Sequence, residues 1–374
     1  MSTQTALPRA PVARVSAKER LVSLDIFRGA TMLLMVLVNN SGDGAHTYGP
    51  LNHAEWNGWT PTDTVFPSFL WIVGVAITLS LGKRMAAGAD RSKLMVQVFR
   101  RALTLYVLGL AVYAYPLNFS TQRLLGVLQR IAICYLIASA IYLYSGLRAQ
   151  ILWIIGLLGG YWLVMTFAPV PGYGAGNLDV ERNFAHYVDT LILGTHNYLP
   201  TKTWDPEGIV STLPAIATAL FGVMCGHLLR LKKDLSERTA WLFLAGNLLM
   251  AAGLICDVWL PINKKLWTTS FCLFMAGLDF VVFAICLWLA DGVGLKRFGK
   301  PFVIMGMNAI TIYLISEFLD EFLNAVKLRG PIFHNVFAPL ASPYNASLLY
   351  ALTYTGLMWL IAYGMYRRGW FWKV

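Results

Sequence analysis

The chain alternates long apolar runs with shorter polar stretches. Ten of the runs are candidate helices: 24–41, 64–82, 102–116, 124–145, 150–168, 208–230, 239–258, 267–290, 301–325 and 346–366. Most approach the about 20 residues that an α-helix needs to cross a ~30 Å hydrocarbon core. The run at 102–116 is the shortest. The two-residue alternation of a transmembrane barrel strand is absent. The pattern predicts an all-α fold, a polytopic membrane helical bundle with about 10 transmembrane helices. It also predicts one transmembrane domain over residues 21–374 behind a polar tail, 1–20. No internal repeat, soluble domain or low-complexity tract interrupts it.

Composition sharpens the class. Charged residues make up 13% of the chain and hydrophobic ones 57%, with a mean hydropathy of +0.57. A soluble domain carries roughly 25% charged residues. The net charge of +11 would point to nucleic acid in a soluble protein. Here the basic residues follow the loops instead. With the N-terminus placed inside, the tail and segments 83–101, 146–149, 230–238, 291–300 and 367–374 hold 21 of the 30 Lys and Arg residues. The opposite side holds Arg123, Arg182, Lys202, Lys264, Lys265, Lys327 and Arg329. This bias predicts both termini in the cytoplasm, and it removes nucleic acid as a partner. No small-residue cleavage site follows the first apolar span, so the N-terminus is not expected to be a cleavable signal peptide. The cysteines, Cys134, Cys225, Cys256, Cys272 and Cys286, sit in or beside apolar runs without a CxxC pair and read as packing residues.

Polar chemistry concentrates in a few places. Residues 39–66, on the side opposite the termini, hold His46 and His53, with Asp43, Glu55 and Asp63, and Asn39, Asn40, Asn52 and Asn57. A neutral imidazole can take a proton near pH 7, as acyl transfer to an amine requires. A carboxylate such as Asp63 can orient its other ring nitrogen, and asparagines can donate to a developing oxyanion. The plainer alternative makes His53 a turn cap and Asp63 a residue favoured at a helix N-terminus. His46 is the rival base, in a glycine-rich and more mobile stretch. The WDPEG segment, 204–208, resembles a helix start with Asp205 as cap and Pro206 first in the helix, yet Glu207 could bind a cationic amino sugar. Loop 169–207 is rich in Gly, Pro and Asn and is expected to be irregular.

Charges inside the spans cost free energy in lipid and mark polar paths. They are Asp25 and Arg28, Gln129 and Arg130, Asp279, and Glu317 and Asp320. An ion pair explains the first two equally well. Arg130 calls for an anion. No nucleotide-binding glycine motif is present, and no His, Cys or carboxylate set has metal-ligand spacing, so no metal is expected.

Several longer segments carry a resemblance: SLDIFRG (23–29), LVNN (37–40), HAEWNG (53–58), TPTDTVFPSF (60–69), GVLQRIAICY (126–135), WDPEG (204–208), PINKKLWTTSF (261–271) and GKPFVIMGMNAITIY (299–313). In content and order the chain resembles the heparan-alpha-glucosaminide N-acetyltransferase family of transmembrane acetyltransferases, bacterial relatives included. The resemblance implies a donor, acetyl-CoA, taken from the cytosol, and a sugar amine as acceptor across the membrane. It implies His53 as the catalytic histidine and Asn39 as a further site residue. Three more residues separate these two than in the animal enzyme. The large lumenal N-terminal domain of that enzyme has no counterpart, so a periplasmic amino sugar or cell-wall fragment is expected rather than heparan.

Together these readings give His53, Asn39 and Asp63 as catalytic candidates. Glu207, Asp205, Asn57 and Trp56 are the candidates for the acceptor, and Arg130, Gln129, Arg28 and Asn308 those for CoA. The expected setting is a bacterial inner membrane, with the lipid bilayer and the two small substrates as partners and a homodimer allowed. The alternative from another class is a transporter of amino sugars or N-acetylated sugars.

Overall fold

The computed structural model describes residues 21–114 and 118–372. The expected tail, 1–20, lies outside the described residues. Among those described, the fold is helical, with isolated bridges such as Gly58 to Asn263 and no named strand. Its helices are α1 (Val22–Asn39), α2 (Val65–Ala86), α3 (Arg91–Val112), α4 (Val127–Tyr144), α5 (Leu147–Phe167), α6 (Phe184–Leu193), α7 (Thr212–Leu229), α8 (Leu235–Asp257), α9 (Thr269–Leu287), α10 (Lys296–Met307), α11 (Ala309–Ala325), α12 (Arg329–Ile332) and α13 (Pro343–Arg367). Nine described helices are long and apolar enough to cross a membrane, or ten if α10 and α11 form one bent span.

Helices α2 and α7 form the centre, while α3, α5, α8 and α13 turn apolar faces outward. Small residues let the central pair approach closely, as in lipid-embedded bundles. A Cβ added at Gly222 would lie 2.0 Å from the Trp71 carbonyl oxygen, and one at Gly74 would lie 1.8 Å from that of Ala219. Between α2 and α9, Trp71 packs against Phe280 and Phe283.

Four elements differ from the sequence expectation. Loop 169–207, expected to be irregular, contains α6, which Asn183 caps by accepting from His186 N at 2.9 Å. Helix α3 begins at Arg91, well before 102. Arg91, Lys93, Arg100 and Arg101 lower the hydropathy of its first turns and hide them from an apolar count, while Asp90 caps it by accepting from Lys93 N at 2.8 Å. The ninth run is not one helix. Helices α10 and α11 meet at Asn308 with a 64° bend, because the Asn308 backbone leaves the helical region although apolar content continues across it. Finally, α7 begins at Thr212 rather than in WDPEG.

Candidate functional site

Consecutive spans run in opposite directions, so the α1–α2, α3–α4, α5–α7, α8–α9 and α11–α13 connections gather at one end of the bundle. They are tied together there. Gly58 N donates to Ile262 O at 2.7 Å, Leu124 N to His196 O at 3.3 Å, and Gly42 N to Ser347 O at 3.3 Å. Trp56 Nε1 donates to Leu178 O at 3.0 Å, and Asn263 Nδ2 to Asn57 Oδ1 at 3.1 Å.

The His53 loop is pinned from beneath by one carboxylate. Asp63 follows Thr60-Pro61-Thr62 in a short 3₁₀ turn and is 1% exposed. Its Oδ2 accepts from Ala54 N at 3.0 Å, Thr60 N at 3.0 Å and Thr60 Oγ1 at 3.2 Å. Its Oδ1 faces His53 Nδ1 at 2.7 Å. The helix-start and His-orienting readings of Asp63 therefore coexist. With Nδ1–H donated to Asp63, the lone pair of the ring lies on Nε2, and the His53 side chain is 48% exposed.

Lys264 completes this corner. Its Nζ lies 3.0 Å from His53 Nδ1, 3.4 Å from Nε2 and 3.6 Å from Asp63 Oδ1. Burial pushes the Lys264 ammonium below the usual lysine range, opposed by the charges of Asp63 and Glu207. The turn that carries it is unusual. Trp267 has φ 51°, in the left-handed region that a bulky residue rarely adopts. Packing holds it there: the ring meets Phe66 and Phe271 edge-on and donates to Thr218 Oγ1 at 3.1 Å. Lys265 turns the other way, donating to Glu55 O at 2.5 Å.

A second polar cluster lies beside the first. Arg123 is 7% exposed and bonds Asp205 with Nε at 2.8 Å and Nη2 at 2.5 Å, and its Nη2 also reaches Glu207 Oε2 at 2.5 Å. Its guanidinium lies between Tyr113 and Tyr198, 4.8 and 4.4 Å from the ring centroids. Burial opposes the Arg123 charge, but the bonds to Asp205 and the Glu207 carboxylate outweigh it and hold the proton affinity above the ordinary value. Glu207 also feels Arg130 and Lys264, which links the two clusters. Asp189 supports the loop from α6 by accepting from Ile209 N at 2.9 Å. Its burial raises its pKa to about 6.

Arg130, fully buried in α4, donates to Gly208 O at 3.0 Å and to Ser211 Oγ, and lies 5.2 Å from the Trp267 centroid. Among the described residues its Nε and Nη1 have no partner, nor do the amide atoms of Gln129 and Asn308, all three residues being 1% exposed or less.

The structure thus brings together His53 with Asp63, and Asp205 with Glu207, and sets Trp56 against Trp204 (centroids 5.7 Å apart) beside them. Asn39, ending α1, donates to Glu317 at 3.5 Å rather than to His53. Arg28 pairs with Asp25 at 3.5 Å near the opposite end of α1. His46 is held rather than loose: Asp43 Oδ2 lies 2.6 Å from its Nδ1 and Tyr344 packs on its ring. Arg123 and Lys264 were not singled out from the sequence. Their signal was an exception: both are basic residues on the side that the charge bias keeps poor in them.

The family model described as "Heparan-alpha-glucosaminide N-acetyltransferase, catalytic" matches residues 20–256. The curated heparan-alpha-glucosaminide N-acetyltransferase of Homo sapiens is 30% identical over 411 residues, covering 95% of this chain and 60% of that protein. The one from Mus musculus is 30% identical over 420 residues, covering 97% and 62%. The chain therefore spans less than two thirds of the length of these relatives. His53, Asp63, Arg123, Arg130, Asp205 and Glu207 fall inside the matched segment, while Lys264 and Asn308 lie beyond it.

Proposed function

The chain belongs to the heparan-alpha-glucosaminide N-acetyltransferase family, and from that premise we propose that it is a transmembrane N-acetyltransferase. It moves an acetyl group from acetyl-CoA to the amine of an amino sugar. The observation that carries the reading is the His53–Asp63 pair, with one ring nitrogen fixed by a buried carboxylate and the other on a half-exposed side chain, 3.4 Å from Lys264 Nζ.

His53 acts as general base. The acceptor amine attacks the thioester carbonyl, its proton passes to Nε2, and collapse of the adduct breaks the C–S bond. CoA leaves as a thiol carrying that proton. Asp63 keeps the proton on Nδ1 and stabilises the imidazolium that forms transiently. Asn39 holds the acyl carbonyl or the acceptor. Glu207 keeps one carboxylate oxygen outside its Arg123 bond, available to the acceptor's ammonium, with Asp205, Trp56 and Asn57 around it. Arg130, Gln129 and Asn308 meet the donor from the bundle interior, where a carbonyl, amide or phosphate would satisfy their unpartnered atoms. Arg28 belongs to the donor's entrance.

The membrane setting follows the charge bias. The side bearing 21 of the 30 basic residues is cytoplasmic and both termini lie there. Acetyl-CoA enters from that side and His53 faces the other. A transporter reading draws on one observation, the break between α10 and α11 at a buried asparagine, a device that transporters use at midplane binding sites. One experiment separates the two. In liposomes with labelled acetyl-CoA on the termini side and glucosamine on the other, label reaches glucosamine with the wild type and not with His53→Ala. Sugar uptake indifferent to acetyl-CoA and to His53→Ala would favour transport.

A further inference from the structure

The transfer just described leaves Lys264 unused, although no side chain is nearer to His53 Nε2 among the hydrogen bonds of the described residues. A nitrogen lying along the Nδ1 lone pair would be far from Nε2, across the ring. Distances of 3.0 and 3.4 Å to the two ring nitrogens therefore put Nζ over the imidazole face, with Asp63 in the in-plane position at Nδ1. Rotation about the last bonds of a flexible lysine stem carries Nζ to the edge at Nε2.

The charges around it are Asp63 at 3.6 Å, Glu207 within electrostatic reach, and Lys265, which is engaged with Glu55 O. The charges of Asp63 and Glu207 favour the ammonium, and burial favours the neutral amine. A primary amine beside the imidazole nitrogen that carries the lone pair has the chemistry of the acceptor sugar itself. Buried lysines are the ones that serve proteins as nucleophiles.

We propose that Lys264 is an acetyl acceptor within the chain, modified at Nζ when the donor is bound and the sugar is absent. The inference rests on the acyl-transfer reading above. The Lys264 amine attacks the thioester carbonyl, His53 takes its proton, the C–S bond breaks, and CoA leaves as the protonated thiol. The product is an ε-N-acetyl amide, which is stable rather than an intermediate. It removes the cation facing Asp63 and places an acetyl group at the catalytic edge, so modified protein is inactive. A bound sugar protects by competing for the same acyl group.

The test uses the detergent-solubilised chain, labelled acetyl-CoA and peptide mass spectrometry. Without sugar, Lys264 gains one labelled acetyl group at least ~10-fold faster than Lys265, because only Lys264 is held at the base. Glucosamine suppresses the labelling, His53→Ala abolishes it, and Lys264→Arg takes no label at that position. Label on glucosamine with none on Lys264 overturns the inference and leaves the enzyme reading intact. Equal labelling of Lys264 in wild type and His53→Ala also overturns it, since the modification is then uncatalysed. Label on Lys264 but not on glucosamine supports the inference and refutes that choice of acceptor. Label on neither overturns both.

Discussion

Replacing Asp63 with asparagine tests the base assignment with the least disturbance of shape. Oδ2 of Asp63 accepts two backbone N–H groups, from Ala54 and Thr60, both at 3.0 Å. An asparagine keeps its oxygen there, because turning the amide around would point an NH2 at two N–H donors. The Nδ2 group must then face His53 Nδ1, where Oδ1 stood at 2.7 Å. An NH2 can only donate, so Nδ1 becomes the acceptor and the ring proton moves to Nε2. Nε2 then offers a proton where it offered a lone pair. In the serine-protease triad the same inversion costs ~10⁴-fold in kcat, equivalent to about 5 kcal/mol of barrier. The expected outcome here is a loss of ~10³- to 10⁴-fold in kcat with KM for both substrates changed little. The loss of a charge-assisted bond costs a further ~1.5–3 kcal/mol in stability. The assay is initial-rate transfer of labelled acetyl to glucosamine, beside thermal unfolding in the same detergent. Asp63→Asn protein with activity within ~10-fold of wild type would refute the tautomer argument.

Three further outcomes are expected. Arg123→Met leaves Asp205 and Glu207 buried without their cation and costs about 3–5 kcal/mol; a thermal midpoint equal to wild type would contradict the cluster's role. Asn308→Leu removes two unpartnered buried polar atoms, so the unfolding midpoint rises, while KM for acetyl-CoA increases ~10-fold if that amide contacts the donor; a midpoint gain with unchanged KM would remove Asn308 from the donor site. Asp189 has a folded pKa raised to about 6 from 3.8, so its protonation contributes stability that is complete below about 3.8 and lost as pH rises through about 6. The midpoint of wild type relative to Asp189→Asn should therefore increase between pH 7.5 and pH 5, and a pH-independent difference would count against a buried, proton-binding Asp189.

Much of the site was readable in the sequence for a local reason. His53 and Asp63 are ten positions apart in one connection, and the proline-led turn between them is short enough to bring them together without help from the rest of the fold. The Asp205–Glu207 pair is visible for the same reason, as a helix start or as an acceptor site. The Arg123 guanidinium draws both carboxylates into one cluster across more than eighty positions, and the helix begins only at Thr212. Lys264 lies 211 positions from His53, and no spacing rule links the two. The break at Asn308 was hidden because hydropathy measures apolar content, which continues across it, and not backbone direction.

The amino-acid order alone determined that this is a many-span helical membrane protein, which loops share a face, and which end of each span carries positive charge. These are properties of the free energy of moving each segment between water and lipid, and they accumulate along the chain. Tertiary packing alone decided which residues of different loops meet. Close approach of α2 and α7 through Gly74 and Gly222, and the strained turn at Trp267, set the α8–α9 connection over the α1–α2 connection. A contact between side chains so far apart in sequence depends on how the helices pack, which no single segment specifies.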